Sequence, residues 1–76
     1  MFLKTFFSER LIQLRKQHSI SQLALAEIAG VGRTTITMLE NGSNLPSAEV
    51  LYAVADYFDV SIDYLFGRTD KPEVNR

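Results

Sequence analysis

The apolar positions fall into five short groups, each with helical rather than alternating spacing. In the first, Phe7, Leu11 and Leu14 recur at intervals of four and three, with Arg15 following. That spacing predicts a helix from Thr5 or Ser8, either of which can cap it, to His18. Ser21 caps a second helix, Gln22 to Ala29, with Leu25, Ala26 and Ile28 inward. It stops at Gly30, where a left-handed residue costs glycine nothing. After Val31 and Gly32, residues 33–40 turn Ile36 and Leu39 inward and Arg33, Thr34, Thr37 and Met38 elsewhere, and Asn41-Gly42 closes this third helix. Ser43 to Pro46 reads as a loop. Ser47 then caps a helix to about Phe58 whose stripe is Leu51, Val54, Ala55 and Phe58. Asp59 takes the stop position, Ser61 caps a last helix from Ile62 to Phe66, and Gly67 ends it. No stretch alternates with period two, so the fold class expected is all-α.

The chain has 76 residues, 46% hydrophobic and 22% charged, without cysteine. That composition suits one small globular domain, here 1–76, and excludes a disulfide scaffold or a disordered chain. The core is expected over about 5–67, with 68–76, polar and containing Pro72, as a flexible tail. The longest apolar run, Val50 to Ala55, is too short to span a membrane, and MFLKTFF lacks the sustained apolar stretch of a signal peptide. A soluble cytoplasmic protein with no membrane partner is the expectation. A zinc site could draw only on His18 and carboxylates, so neither metal nor cofactor is expected.

Net charge is −1, which by itself argues against a nucleic-acid partner. The distribution reverses that reading. Residues 1–42 carry Lys4, Arg10, Arg15, Lys16 and Arg33 against Glu9, Glu27 and Glu40, a net of +2. Residues 43–76 carry Arg68, Lys71 and Arg76 against Glu49, Asp56, Asp59, Asp63, Asp70 and Glu73, a net of −3. One half suits an anionic partner and the other does not.

Two short helices joined by a tight glycine-containing turn, the second polar on its outer face, describe a helix-turn-helix. Residues 8–66 resemble the Cro/cI-like (Xre-type) helix-turn-helix transcriptional regulators. The matching pieces are L-I-Q-L-R from Leu11, I-S-Q from Ile20, L-A-E-I-A-G-V from Leu25, T-I-T-M-L-E-N-G from Thr35, P-S-A-E-V-L from Pro46 and V-S-I-D-Y-L from Val60. Any single piece is weak; E-N-G at its distance from S-Q is the specific part. The resemblance implies a five-helix, lambda-repressor-like fold and sequence-specific binding to double-stranded DNA.

It also implies roles for residues. The helix from Arg33 would enter the major groove, with Arg33, Thr34, Thr37 and Met38 at base edges. Ser21, Gln22, Thr35 and Asn41 would meet phosphates. Arg15 and Glu40 would form the inward ion pair that sets the angle of the third helix. Departures from the family pattern are Gly32 as a bare helix cap, the uncharged Ser43-Asn44-Leu45, and Ser19 and Asp59 where glycine usually ends a helix.

A single reading helix covers few base pairs, so a homodimer is expected, through Tyr57, Val60, Tyr64, Leu65 and Phe66 of the acidic half, with Leu65 and Phe66 assigned partly to the core and Tyr57 and Tyr64 to the rim or interface. No ligand-sensing segment is recognisable, so modulation would come from an unidentified protein partner or from concentration. Catalysis has no support, because His18 lacks any nucleophile partner in the pattern. The rival reading is a helix-turn-helix used only to bind protein, suggested by Leu23 outside the second helix and by Phe2, Leu3 and Phe6. The polar outer face of residues 33–38 favours DNA.

Overall fold

The computed structural model describes residues 3–74. Five helices follow in order: α1 (Leu3–Gln17), α2 (Gln22–Ala29), α3 (Arg33–Glu40), α4 (Ala48–Phe58) and α5 (Ile62–Leu65). There is no strand among the described residues. The all-α expectation holds.

The starts of three helices are set by serine hydroxyls. Ser21 accepts from the Ala24 N–H at 3.0 Å, Ser47 from Val50 at 3.3 Å and Ser61 from Tyr64 at 3.0 Å. Each such cap contributes about 1 kcal/mol. Gly32 precedes α3 with no side-chain cap.

All five helices end the same way. A left-handed residue follows the last turn, at Ser19, Gly30, Gly42, Asp59 and Gly67. Its N–H and the next one fold back onto the helix, as in Val31 to Ala26 O and Val60 to Ala55 O, both at 3.0 Å. Ser19 and Asp59 adopt φ of 53° and 54° without being glycine, a cost of about 1–2 kcal/mol each. The left-handed position after α3 is Gly42, at φ 78°, while Asn41 stays at φ −90°.

α3 packs against α1 and α2, α4 against α2 and α5, and α5 closes on α1. Phe7, Leu11, Leu25, Ile36, Leu39, Val54 and Leu65 are the deepest side chains. This core holds the helix-turn-helix from behind and leaves the outer side of α3 open.

Several expectations are corrected. α1 is already helical at Leu3, so neither Thr5 nor Ser8 caps it. Ser8 is buried mid-helix and its hydroxyl donates to Thr5 O at 2.9 Å. Ile28 is exposed, because the inward face of α2 runs through Leu25, Ala26 and Ala29.

Of the five residues expected at a dimer surface, Val60 and Leu65 are core, 5% and 0% exposed. Phe66 lies with its ring centroid 5.4 Å from that of Phe7. Tyr64 sits under the Arg10 guanidinium, 3.9 Å from its ring centre. Only Tyr57 is well exposed, with its ring edge-on to Phe58. The reason is the brevity of α5, four residues that must supply the side chains sealing one end of the core.

The segment after α5 is tied down in its first part. Arg10 donates to Tyr64 O at 3.0 Å and Thr69 O at 3.3 Å and pairs with Asp70 at 3.5 Å, while the Ser61 N–H donates to Pro72 O at 3.0 Å. Phe6 covers Gly67 and stays half-exposed. Phe2, grouped with it in the sequence reading, lies outside the described residues.

Gly67 combines φ 74° with a site where a Cβ would stand 2.7 Å from Phe6 Cδ1. Gly67→Ala should therefore destabilise the fold by about 1–2 kcal/mol in urea denaturation. In a Phe6→Ala background the loss should shrink to the backbone part; an unchanged loss would show that the ring does not occupy that space.

Candidate nucleic-acid interface

α3 is two-sided. Ile36 and Leu39 are 0% and 1% exposed, while Arg33, Thr34 and Thr37 face solvent and Thr35 and Met38 are half-buried. The turn of Gly30, Val31 and Gly32 is short enough to set the start of α3 beside the start of α2. Arg15, Ser21, Gln22, Leu23 and Arg33 consequently line one open depression.

The positive ends of α2 and α3 carry no acidic side chain in their first turns, whereas α4 has Glu49 and α5 has Asp63. A helix N-terminus bears about half a positive charge, which acidic neighbours would offset. α1 likewise has no acidic residue in its first turn; the starts of α2 and α3 belong to the helix-turn-helix and lie beside Arg33. That arrangement attracts anions.

Beneath it lies a polar chain that spans three helices. Arg15 Nε donates to Glu40 Oε2 at 2.6 Å and Arg15 Nη2 to Glu40 Oε1 at 3.2 Å, a two-pronged contact. Arg15 Nη1 donates to Ile20 O at 3.1 Å. The two side chains are 17% and 8% exposed. The hydrogen bond that Arg15 donates to Glu40 raises the Arg15 pKa, burial opposes this, and the Glu40 charge adds to the rise. Arg15 therefore stays charged at any working pH.

Gln22 extends this chain to the surface. Its Nε2 donates to Glu40 Oε1 at 3.0 Å, and its Oε1 accepts from Arg33 Nε and from Thr37 Oγ1, each at 3.4 Å. The Thr37 hydroxyl is shared with Arg33 O at 3.2 Å. Sequence reasoning gave Gln22 only a phosphate. It missed this link because Gln22 and Arg33 stand eleven positions apart on different helices.

The remaining candidates are more dispersed. Thr34 projects from the first turn of α3, and Ser21 is occupied as the cap of α2. Asn41 Oδ1 accepts from both the N–H and the hydroxyl of Ser43, forming a turn that turns the chain away from α3. Met38 Sδ lies 3.8 Å from Asn44 Nδ2. His18, exposed, has Nδ1 2.9 Å from Leu14 O and its ring edge-on to Phe58. No helix among the described residues is long and apolar enough to cross a membrane.

The helix-turn-helix family model matches residues 11–65. YobD, an uncharacterized HTH-type transcriptional regulator of Bacillus subtilis, is 37% identical over 67 residues, 88% of this chain and 60% of that protein. AnsR, an HTH-type transcriptional regulator of the same bacterium, is 38% identical over 60 residues, 79% of this chain and 52% of that protein. The chain thus spans 52–60% of the length of these curated relatives. Among solved structures, the P22 c2 repressor in complex with synthetic operator 9T superposes with a TM-score of 0.75 at 33% identity, over 79% of this chain and 91% of that one.

Arg15→Ala leaves a buried carboxylate facing only Gln22, and Glu40→Ala strands a guanidinium. Each should cost about 3 kcal/mol, the lower end for a buried pair because Arg15 keeps some solvent contact. The double variant should lose clearly less than the two losses combined. Additive losses in urea denaturation would mean that the pair contributes no mutual stabilisation.

Proposed function

The chain belongs to the helix-turn-helix family, and on that premise we propose that it is a sequence-specific regulator of transcription, a repressor, that binds double-stranded DNA with α3 in the major groove. One observation carries this reading: the exposed side of α3 is polar and cationic, and it adjoins the starts of α2 and α3, neither of which has an acidic residue in its first turn. A protein-docking helix would present aliphatic or aromatic side chains there.

In this reading Arg33 forks onto guanine O6 and N7, and Thr34, Thr37 and Met38 contact neighbouring base edges, including thymine methyls. Ser21, Gln22, Thr35 and Asn41 hold the phosphates that fix the position of the domain along the duplex. Asn41 would use its amide NH2, since its Oδ1 already serves Ser43. No cofactor or catalytic step is involved, and the protein acts in the cytoplasm, where a partner protein or its own concentration sets its occupancy of DNA.

Two copies are required for useful specificity, with half-sites about 34 Å apart. The dimer forms through the acidic half. The apolar side chains exposed on α4, α5 and the following segment are Tyr52, Tyr57, Ile62 and Val74.

Arg33→Ala should weaken specific binding by about 1–3 kcal/mol and relax the choice at one base position. Gln22→Ala should do both things at once: weaken binding to every duplex, and blur the same base position because Arg33 and Thr37 lose their tether. Titration by fluorescence anisotropy at fixed salt, with single-base operator variants and a scrambled duplex, measures both. Uniform weakening by Arg33→Ala, with base preference intact, would remove Arg33 from the base contacts.

A further inference from the structure

α4, α5 and the last described residues enclose an open groove. Tyr52, Ile62 and Val74, exposed at 69%, 46% and 38%, form its apolar walls over the buried Val60. Asp56 and Asp63 stand on its rim, and among the described residues no basic side chain lines it. Arg68 approaches Asp63 only at 4.0 Å, in an exposed pair. No residue of α2 or α3 takes part, so filling the groove leaves the DNA-facing side chains uncovered.

An occupant must combine apolar surface with positive charge. Tyr57 adjoins Asp56 and nearly Asp59, Ile28 adjoins Glu27, and Leu45 has no charged neighbour within three positions. Leu23 borders Arg33 in the depression assigned to DNA. The start of α1 differs. Leu3 and Phe6 are 40% and 46% exposed, Lys4 between them is exposed, and no acidic residue precedes Glu9.

We infer that the dimer forms by reciprocal seating: Leu3 of each copy enters the groove of the other, the exposed edge of Phe6 lies against its wall, and Lys4 meets Asp56 on its rim. The inference rests on the dimeric reading above and names its surface. Both halves of the contact border α5, since Phe6 covers Gly67 while Ile62 opens the helix. Gly67 follows the far end of this four-residue helix. A two-fold axis beside α5 then makes the contact twice, which closes the assembly rather than leaving it to polymerise. Groove-on-groove pairing would instead bring carboxylates together, which opposes association.

Charge reversal tests this by sedimentation equilibrium on the full chain. Lys4→Glu and Asp56→Lys alter exposed side chains, and circular dichroism checks that each variant is folded. Each alone places like charges together twice and should weaken the dimer at least tenfold. An equimolar mixture of the two variants restores opposite charges at both contacts, and should dimerise with near wild-type affinity. Tyr52→Ala, which removes a wall and no charge, should weaken the dimer in every background. If the wild type dimerises and the single variants do so equally well, or if the mixture fails to recover, the seating is wrong while the dimer stands. A monomeric wild type, free and on a two-half-site duplex, overturns the dimer as well. Binding to a single half-site reports on the DNA reading independently of both.

Discussion

The contact between Arg15 and Glu40 is the constraint on which the functional geometry depends. It ties the last turn of α1 to the last turn of α3 through two parallel hydrogen bonds, with a third from Arg15 to Ile20 O. A planar guanidinium facing a carboxylate fixes direction as well as distance. Desolvation offsets much of the attraction in such a pair, so its effect lies more in orientation than in net stability. Apolar packing by Ile36 and Leu39 would hold α3 against the core but would allow it to roll. The ion pair, with Gln22 joined to it, removes that freedom and carries the constraint out to Arg33 and Thr37.

Around this pin the chain turns five corners by one device. Each helix ends in a left-handed residue that lets two N–H groups fold back onto the helix, so the last carbonyls are satisfied without extra residues. The loops before α3 and before α5 are then only three residues long, and a small domain needs such economy if most of its chain is to reach the core. Ser19 and Asp59 accept backbone strain for the same geometry. Arg10 does similar work at the other end, holding α5 and the segment after it against α1 through two carbonyls, an aspartate and the Tyr64 ring.

The electrostatic division of the chain becomes a division of surfaces. The helix starts that flank Arg15 and Arg33 are left positive, while α4 and α5 carry acidic first turns and the carboxylates around the groove. A net charge near zero therefore conceals a face suited to a polyanion and a face that repels it. A contact made through the second face would leave the first unobstructed.

Helix positions, caps and stops were legible in the sequence, because they are local: a serine before an apolar period, a glycine after it, spacing of three and four. The same reading identified the polar side of α3 and most of the buried stripe. It went astray where the answer depended on what another helix covers. Val60 looks like a surplus apolar residue until it is found buried in the core beside α5, and Ser8 looks like a cap until α1 is found to extend past it. Gln22 could be matched to a phosphate by its place in a motif, yet its bonds to Glu40, Arg33 and Thr37 join positions 11 to 18 apart. The sequence determined which segments are helical and which side of α3 is polar, since propensity, capping and periodicity act within a few residues. The tertiary structure alone decided which apolar side chains remain exposed and how the polar ones are linked, because burial and hydrogen-bond geometry depend on neighbours brought together only by packing.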